Sequence, residues 1–495
     1  MDLAGHLALG FGTALTGVNL GYALVGCVLG TLIGVLPGIG PLATIAMLLP
    51  ATYALEPVSA LIMLAGIYYG AQYGGSTTAI IVNLPGEASS VVTTIDGYQM
   101  ARQGRAGVAL AISAIASFFA GCVATFAIAA LAVPLSALAL VFTPRDYVAL
   151  MVLGLLLAVA LTDGPVLEGI GMVVIGMLLA VVGTDAIDGV QRLTFGLPQL
   201  YDGIDFVALS VGIFGFAEIV RNLGAPADRA VTGARVGGMI PTPAEFRRAM
   251  PAILRGTGVG TVLGALPGGG AAISAFAAYG LEKRLSRTPQ AFGRGAIEGV
   301  AGPEAANNAG AQTSFIPLLT LGLPSNAVMA LMVGAMMIHD IQPGPLVMTR
   351  NPDLFWGLIA SMWIGNLMLV VLNLPLVGLW VRLLTIPYRF LFPAIIVFCV
   401  IGVYSLKRDS FEIHVAALAC IFGCVLARLR LPVAPLLLGL VLGPAVEENF
   451  RRAMLLSRGD ALVFLTSPLS AGLLALGVAA VAMAAWPRLR GRRGA

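Results

Sequence analysis

The chain has 495 residues, of which 58% are hydrophobic and 11% charged, with a formal net charge of +4. An ordinary soluble domain carries about 25% charged residues, so secreted, fibrous and cytosolic classes are excluded for want of polar surface. At roughly 20 residues per spanning helix plus short connections, this length predicts an all-α polytopic membrane protein with about 10–13 transmembrane helices.

The N-terminal segment Met1-Asp2-Leu3-Ala4-Gly5-His6 has no basic n-region, so the first apolar stretch reads as a retained span and not a cleaved signal. Candidate spans follow at about 18–36, 58–82, 107–133, 146–162, 166–183, 205–221, 250–266, 310–338, 354–381, 391–406, 411–427 and 461–486. Short apolar pieces near 40–50, 271–281 and 432–445 fall below spanning length and predict broken or re-entrant segments. The longest polar region, 221–249, reads as a cytoplasmic linker between a first half, 1–220, and a second half, 250–495. Basic residues gather at Arg102 and Arg105, from Arg221 to Arg255, from Lys283 to Arg294, and at Arg488, Arg490, Arg492 and Arg493. The positive-inside bias places these loops and the C-terminus in the cytoplasm and the N-terminus outside, with no call for nucleic acid. Cys27, Cys122, Cys399, Cys420 and Cys424 all lie in apolar stretches and read as packing residues, with no structural metal.

Two strings recur between the halves. Gly30-Thr-Leu-Ile-Gly-Val-Leu-Pro37-Gly38-Ile-Gly40 and Gly260-Thr-Val-Leu-Gly-Ala-Leu-Pro267-Gly268-Gly-Gly270 share seven of eleven positions at an offset of 230, which also pairs Thr44 with Ser274. Further on, Gly70-Ala71-Gln72 answers Gly310-Ala311-Gln312, and Asn83-Leu84-Pro85-Gly86-Glu87 answers Gly322-Leu323-Pro324-Ser325-Asn326. The spacing between the two motifs differs by one residue. Their recurrence in the same order predicts two repeat-related halves, each with broken or re-entrant helices.

A Leu-Pro-Gly-x-Gly inside an apolar run leaves backbone donors and acceptors that hydrocarbon cannot satisfy, so protein or a water-filled cavity must receive them. Freed carbonyls can hold a cation and freed N–H groups a carboxylate. Matching interruptions in two halves point to the substrate site of a secondary transporter; close helix packing through small residues is the other reading. The predicted substrate set is Pro37, Gly38, Gly40, Thr44, Ser76 and Thr77, then Asn83, Pro85 and Gly86 of the first half. From the second half it takes Gly268, Gly270, Ser274, Thr313 and Ser314, with Pro324, Ser325 and Asn326. Candidates for the coupling ion are Gln72, Thr77, Glu304, Asn307, Gln312 and Thr313, because amides, hydroxyls and one acid can hold a cation at membrane depth. Glu304 reads either as that acid or as a helix cap beside Pro303. Asp96 opens a polar loop ending in Arg102 and Arg105, and Asp163, Glu168, Asp185, Asp188, Asp202 and Asp205 read as interfacial.

Enzymatic signatures are absent: there is no H-E-x-x-H and no phosphate loop, and His6, His339 and His414 are far apart in sequence. Gly74-Gly75-Ser76 has no His placed to serve it as a nucleophile.

From Gly30–Gly40 through Tyr69–Glu87, Asp96–Gly107, Gly302-Pro-Glu-Ala-Ala-Asn-Asn-Ala309 and Gln342-Pro-Gly-Pro345, the sequence resembles the large membrane subunit of tripartite tricarboxylate transporters along essentially its whole length. The resemblance implies a secondary transporter in the bacterial inner membrane, working with a small membrane subunit and a periplasmic solute-binding protein. It implies uptake of a di- or tricarboxylate, citrate-like in class, by symport with Na⁺ or H⁺ through alternating access, and no organic cofactor. A passive anion channel or a membrane scaffold is the alternative from another class.

Overall fold

The computed structural model describes residues 2–36, 40–162, 164–185, 188–223, 238–266, 268–383 and 388–491. The helices, in chain order, are α1 (Leu3–Ala14), α2 (Gly17–Val35), α3 (Gly40–Thr52), α4 (Pro57–Val82), α5 (Val91–Arg102), α6 (Ala106–Ala139), α7 (Pro144–Leu161) and α8 (Val166–Ala180). A two-stranded antiparallel ribbon, β1 (Gly183–Thr184) and β2 (Gln191–Arg192), pairs Gly183 with Arg192 and Thr184 with Gln191. Then come α9 (Phe206–Ser210), a π-helical turn over Val211–Phe216, α10 (Ala217–Leu223), α11 (Pro243–Gly264), α12 (Ala271–Leu285), α13 (Glu298–Thr313), α14 (Phe315–Leu321) and α15 (Ala327–Ile338). The chain ends with α16 (Val347–Arg350), α17 (Pro352–Asn373), α18 (Val377–Leu383), α19 (Tyr388–Lys407), α20 (Phe411–Arg428), α21 (Val433–Leu456), α22 (Val463–Thr466) and α23 (Pro468–Gly491).

The protein is an all-α polytopic membrane protein. Among the described residues seven helices are long and apolar enough to cross a bilayer: α2, α6, α7, α17, α20, α21 and α23. Four more, α1, α3, α8 and α15, are apolar but shorter. Helix α4 has the length, with 26 residues, but its run of Tyr, Gly, Gln, Ser and Thr dilutes its hydropathy; α11 is interrupted by Arg247, Arg248 and Arg255. One expected span and one expected short piece take another form. The stretch 310–338 is three segments, because Ser314 and the Leu323-Pro324-Ser325-Asn326 turn break it. The short piece at 432–445 continues as α21 to 24 residues, since the charged run after Val446 stays helical. The linker expectation at 221–249 falls partly on residues 224–237, outside the described ones, and α11 starts inside it at Pro243.

Local chemistry sets the helix ends. Thr242 caps α11 and Glu245 returns the bond to the Thr242 N–H, closing a capping box. Asn326 caps α15 by accepting from the Met329 N–H at 3.1 Å. Asn83 and Gly322 end α4 and α14 in left-handed conformation, with φ of 58° and 73°.

Two parallel helix pairs make the same kind of contact. In α2 and α4, a Cβ placed on Gly26, Gly30 or Gly34 would meet the carbonyl oxygens of Met63, Ile67 and Ala71 at 2.2, 2.4 and 2.4 Å. In α11 and α13, a Cβ on Gly256, Gly260 or Gly264 would meet those of Gly302, Ala306 and Gly310 at 2.2, 2.3 and 2.3 Å. The backbones touch, as small residues in membrane helices permit. The glycines on the approaching helices lie 230 residues apart, and their partners 239. Around these pairs pack α5, α6 and α17, whereas α7, α8, α21 and α23 pack on one another beside them.

Candidate functional site

The segments that follow the Gly-rich turns pack crosswise on the segments that follow the Leu-Pro turns of the other half. The Ala88–Ser90 turn, just after Leu84-Pro85-Gly86-Glu87, packs on α12, the helix that leaves the second Gly-rich turn. Helix α3, which leaves the first Gly-rich turn, packs on α15, which follows Leu323-Pro324. Pro37 and Gly38 lie outside the described residues, as does Pro267.

The second-half turns are tied by hydrogen bonds. The Gly268 N–H donates to Ser325 O at 2.7 Å, and the Asn326 amide donates to Ser314 Oγ at 3.1 Å. Ser325 Oγ donates to Ser314 O at 3.3 Å, and Ser314 Oγ to Gly310 O at 2.7 Å. Gly268 and Gly270 have φ of 78° and 102°, and a Cβ on Gly268 would stand 2.7 Å from Ala158 N of α7. Only glycine meets both demands. The Tyr68 phenol of α4 lies within reach of Ser314, Asn326 and Glu87, so the first half reaches this turn through one side chain. No charged side chain belongs to the Gly268–Ala271 or Leu323–Asn326 turns themselves.

The first-half turn is built differently. Gly86 is wedged between α2 and α4: a Cβ there would sit 1.9 Å from Gly34 O and 2.6 Å from Gly75 Cα. Thr78 Oγ1 bonds Gly34 O at 3.3 Å and Gly75 O at 3.0 Å. Asn83 is exposed and Pro85 half-buried. Thr44 and Ser274 each bond back one helical turn, to Gly40 O at 2.9 Å and Gly270 O at 2.8 Å, which rounds off the helix after each Gly-rich turn.

The coupling-ion candidates separate into three groups. Glu304 lies inside α13, beyond its first turn, so it is not a cap, and it is fully buried. Ser76 Oγ of α4 donates to its Oε2 at 2.7 Å, Ser113 Oγ of α6 at 3.0 Å and Ser117 Oγ at 3.5 Å, while the Thr93 hydroxyl of α5 donates to Oε1. Asn308 Nδ2 bonds Ser117 Oγ at 2.7 Å and Asn307 Oδ1 at 2.5 Å. Gln72 belongs to the same region: the Ser89 hydroxyl lies between its Oε1, at 2.7 Å, and the Glu87 carboxyl, and Glu87 lies within electrostatic range of Glu304. Gln312 forms a second group with Thr125 Oγ1 at 2.5 Å and Asn366 Oδ1 at 2.9 Å. Thr77 and Thr313 bond back to Tyr73 O at 3.2 Å and Ala309 O at 2.9 Å, and Thr313 also reaches Gly260 O at 3.3 Å. Thr93, Ser113 and Ser117 escaped the sequence reading. Their only signal is a pair of serines one turn apart in an otherwise apolar α6, which by itself looks like packing.

Outside these groups, Asp96 is not the start of a loop but a fully buried residue of α5. Its Oδ1 accepts from the backbone N–H of Gly293, Gly295 and Ala296 at 2.9, 2.8 and 2.8 Å, and its Oδ2 from Tyr279 at 3.0 Å. Nearby, Gln103 Nε2 donates to Arg294 O at 2.8 Å, Arg105 pairs with Glu245 at 2.6 Å and Arg248 with Glu298 at 2.9 Å. The basic clusters at Arg102 and Arg105, from Arg221 to Arg255 and from Lys283 to Arg294 thus meet through these contacts. There the Thr242 backbone N–H, followed by the Arg105 guanidinium, holds the Glu245 carboxyl below its ordinary range. Asp185, expected at an interface, is buried and paired with Arg451 at 2.8 Å and Arg192 at 3.4 Å; Asp163 lies outside the described residues. All five cysteines are free.

Comparison with known proteins places this architecture. A sequence profile described as the tripartite tricarboxylate transporter TctA family matches residues 20–438. A relative from Agrobacterium vitis named "Uncharacterized 52.8 kDa protein in TAR-I ttuC' 3'region" is 59% identical over 493 residues, covering 100% of this chain and 98% of its own length. A second from the same organism, "Uncharacterized protein in TAR-II ttuC' 3'region", is 60% identical over 234 residues, 47% of this chain and 97% of its own. No solved structure matches. The profile spans most of the chain and the first relative nearly all of it, so this protein belongs to the TctA family, the non-enzymatic large membrane subunits of tripartite tricarboxylate transporters.

Proposed function

We propose that this chain is the translocating subunit of a secondary transporter that imports a di- or tricarboxylate, with the anion held between the Gly-rich turns and the Leu-Pro turns. The observation that carries this reading is the crosswise packing of the segments after the turns: the helix that follows each Gly-rich turn is seated on the segment after the other half's Leu-Pro turn. Such paired interruptions are where repeat-built transporters bind substrate. The start of α12 offers N–H groups after Gly270, with the positive end of a helix behind them, and Ser325 and Asn326 stand beside it. The contact registers of 230 and 239 residues support descent of the two halves from one repeat.

The setting follows the family: a small membrane subunit, a periplasmic binding protein that delivers the carboxylate, and a Na⁺ or H⁺ gradient that drives symport in the inner membrane. The gathered basic clusters face the cytoplasm, with the C-terminus on that side. Alternating access moves the core helices around a fixed site.

The test is uptake by vesicles containing all three components, loaded with buffer and given an inward cation gradient. Accumulation above the outside concentration is expected, and Ser325→Ala combined with Asn326→Ala abolishes it. Flux that only equilibrates would make the chain a passive anion channel, and unchanged uptake by the double variant would move the substrate elsewhere.

A further inference from the structure

Glu304 has hydrogen-bond donors around it but no counter-charge. Its carboxylate is fully buried, and no Lys, Arg or His pairs with it among the described residues. Hydroxyl dipoles soften the cost of burying one negative charge and do not cancel it, so the electrostatics call for a positive partner, a proton or a metal cation. Around the carboxylate stand four hydroxyl oxygens, from Ser76, Thr93, Ser113 and Ser117, each able to turn its hydrogen away and offer a lone pair.

A second observation points to a ligand. Asn308 is fully buried and its Nδ2 is bound within this group, yet its Oδ1 has no hydrogen-bond partner. Orphaned buried polar atoms are rare in native proteins and mark an ion, a water or a functional group. This acceptor oxygen belongs to a side chain bonded to Ser117, and with the carboxylate and four hydroxyls it completes an all-oxygen donor set, the preference of hard cations.

Resting on the transporter reading above, we propose that Glu304, Ser76, Thr93, Ser113, Ser117 and Asn308 form a Na⁺ site that couples the cation gradient to movement of the anion. One carboxylate among neutral oxygens balances a single charge, whereas a divalent ion would leave an uncompensated positive charge in the interior. A proton would need one acceptor and would leave the Asn308 oxygen unmatched. The ligands come from α4, α5 and α6 on one side and α13 on the other, so the ion joins helices from both halves. Glu87, beside the first Leu-Pro turn and in electrostatic range of Glu304, gives the coupling its sign. Positive charge at the Na⁺ site lowers the repulsion that two carboxylates exert on an incoming anion, so each ligand raises the affinity of the other.

The experiment measures Na⁺ binding to the purified full-length chain in nanodiscs without substrate, by ²²Na⁺ retention and by the Tm shift in NaCl against KCl and choline chloride. A Na⁺-specific shift is expected, lost in Glu304→Gln. Thr93→Val lowers Na⁺ affinity about 10-fold, the scale of losing one supporting group at a metal site, and Thr93→Ser restores it, so the outcome survives if Glu304→Gln does not fold. Equal shifts in all three salts, wild-type Na⁺ affinity in Glu304→Gln or Thr93→Val, or stability that follows pH and ignores Na⁺ would overturn the site. None of these readouts involves flux, so they fail independently of the uptake test.

Discussion

The two Leu-Pro turns occupy matching places and differ in charge and in bonding. The second, Gly322-Leu-Pro-Ser-Asn326, is neutral and knitted by hydrogen bonds from Gly268, Ser314, Ser325 and Asn326. The first, Asn83-Leu-Pro-Gly-Glu87, ends in a carboxylate, is held by the wedging of Gly86 against Gly34 and Gly75, and exposes Asn83. One turn is thus a neutral, internally bonded knot, whereas the other sets a negative charge within reach of the same place through Tyr68. The difference teaches that a duplicated backbone device need not carry duplicated chemistry. Under the proposed function, the second turn recognises the carboxylate and the first makes that recognition conditional on a cation.

The comparison depends on the two halves being locked together, and the buried lock is Asp96. Asp96→Ala would leave three backbone N–H groups and the Tyr279 hydroxyl without their acceptor. Each unsatisfied buried donor costs about 1–3 kcal/mol, so a loss of at least about 3 kcal/mol is expected, read as a lower Tm and poor recovery of folded protein. A near-wild-type Tm would mean that the halves hold their registration without this contact.

A smaller effect sharpens the matching of the turns. Gly322→Asn places in the second turn the residue that the first turn carries. Its φ of 73° tolerates Asn, but a Cβ there would stand 2.6 Å from Pro343 O, a backbone atom with no easy escape. A destabilisation of about 1–3 kcal/mol is expected from this overpacking, checked by thermal unfolding in nanodiscs. Tolerance of Asn would show that the second turn is as open as the first.

Asn326→Ala comes next. It removes the cap on α15 and the bond to Ser314, at about 1 kcal/mol of stability, and it raises the KM for the anion more than it lowers folded yield. An effect on stability alone would reduce Asn326 to a capping residue and weaken the contrast between the turns.

The backbone devices of this contrast were legible in the chain because Pro and Gly act locally: the breaks at Leu84-Pro85, Gly268–Gly270 and Leu323-Pro324 are helix ends wherever the rest of the fold goes. Glu304 was legible as an acid set among apolar segments, and it is buried. Its shell was not, since Thr93, Ser113 and Ser117 lie about 190–210 residues away in sequence and become its hydrogen-bond donors only when α5 and α6 pack on α13. Thr77 and Thr313 showed the converse. In a membrane helix a hydroxyl bonds its own preceding turn unless a neighbour offers more, and that preference cannot be read from a string of residues.

At the rim of the same joint, the Arg105–Glu245 pair gives a pH test of modest size. Glu245 has its carboxyl held below the usual value of 4.5, so the folded state favours the ionised form. The resulting stability is present in full above that value and is lost as pH falls through the lowered folded one. Partly exposed pairs contribute roughly 0–1 kcal/mol. Arg105→Gln is therefore expected to shrink the acid-side loss of Tm slightly and leave the neutral-pH Tm within a degree or two, roughly the resolution of that contribution. An Arg105→Gln protein with unchanged acid sensitivity would assign the depression to the Thr242 cap alone.

The smallest expected effect sits in the exposed turn. Asn83 holds φ at 58°, a conformation glycine adopts without strain, and its side chain faces outward. Asn83→Gly is expected to change stability by no more than about 0.5 kcal/mol and to leave the KM for the anion unchanged, measured in the same vesicles as Asn326→Ala. A rise in KM comparable to that of Asn326→Ala would restore Asn83 as a substrate ligand, and with it a symmetric site in which both turns grip the anion. An unchanged KM beside an impaired Asn326→Ala would confine recognition to the neutral turn, and the charge on Glu87 would then be the feature that separates the two halves' roles.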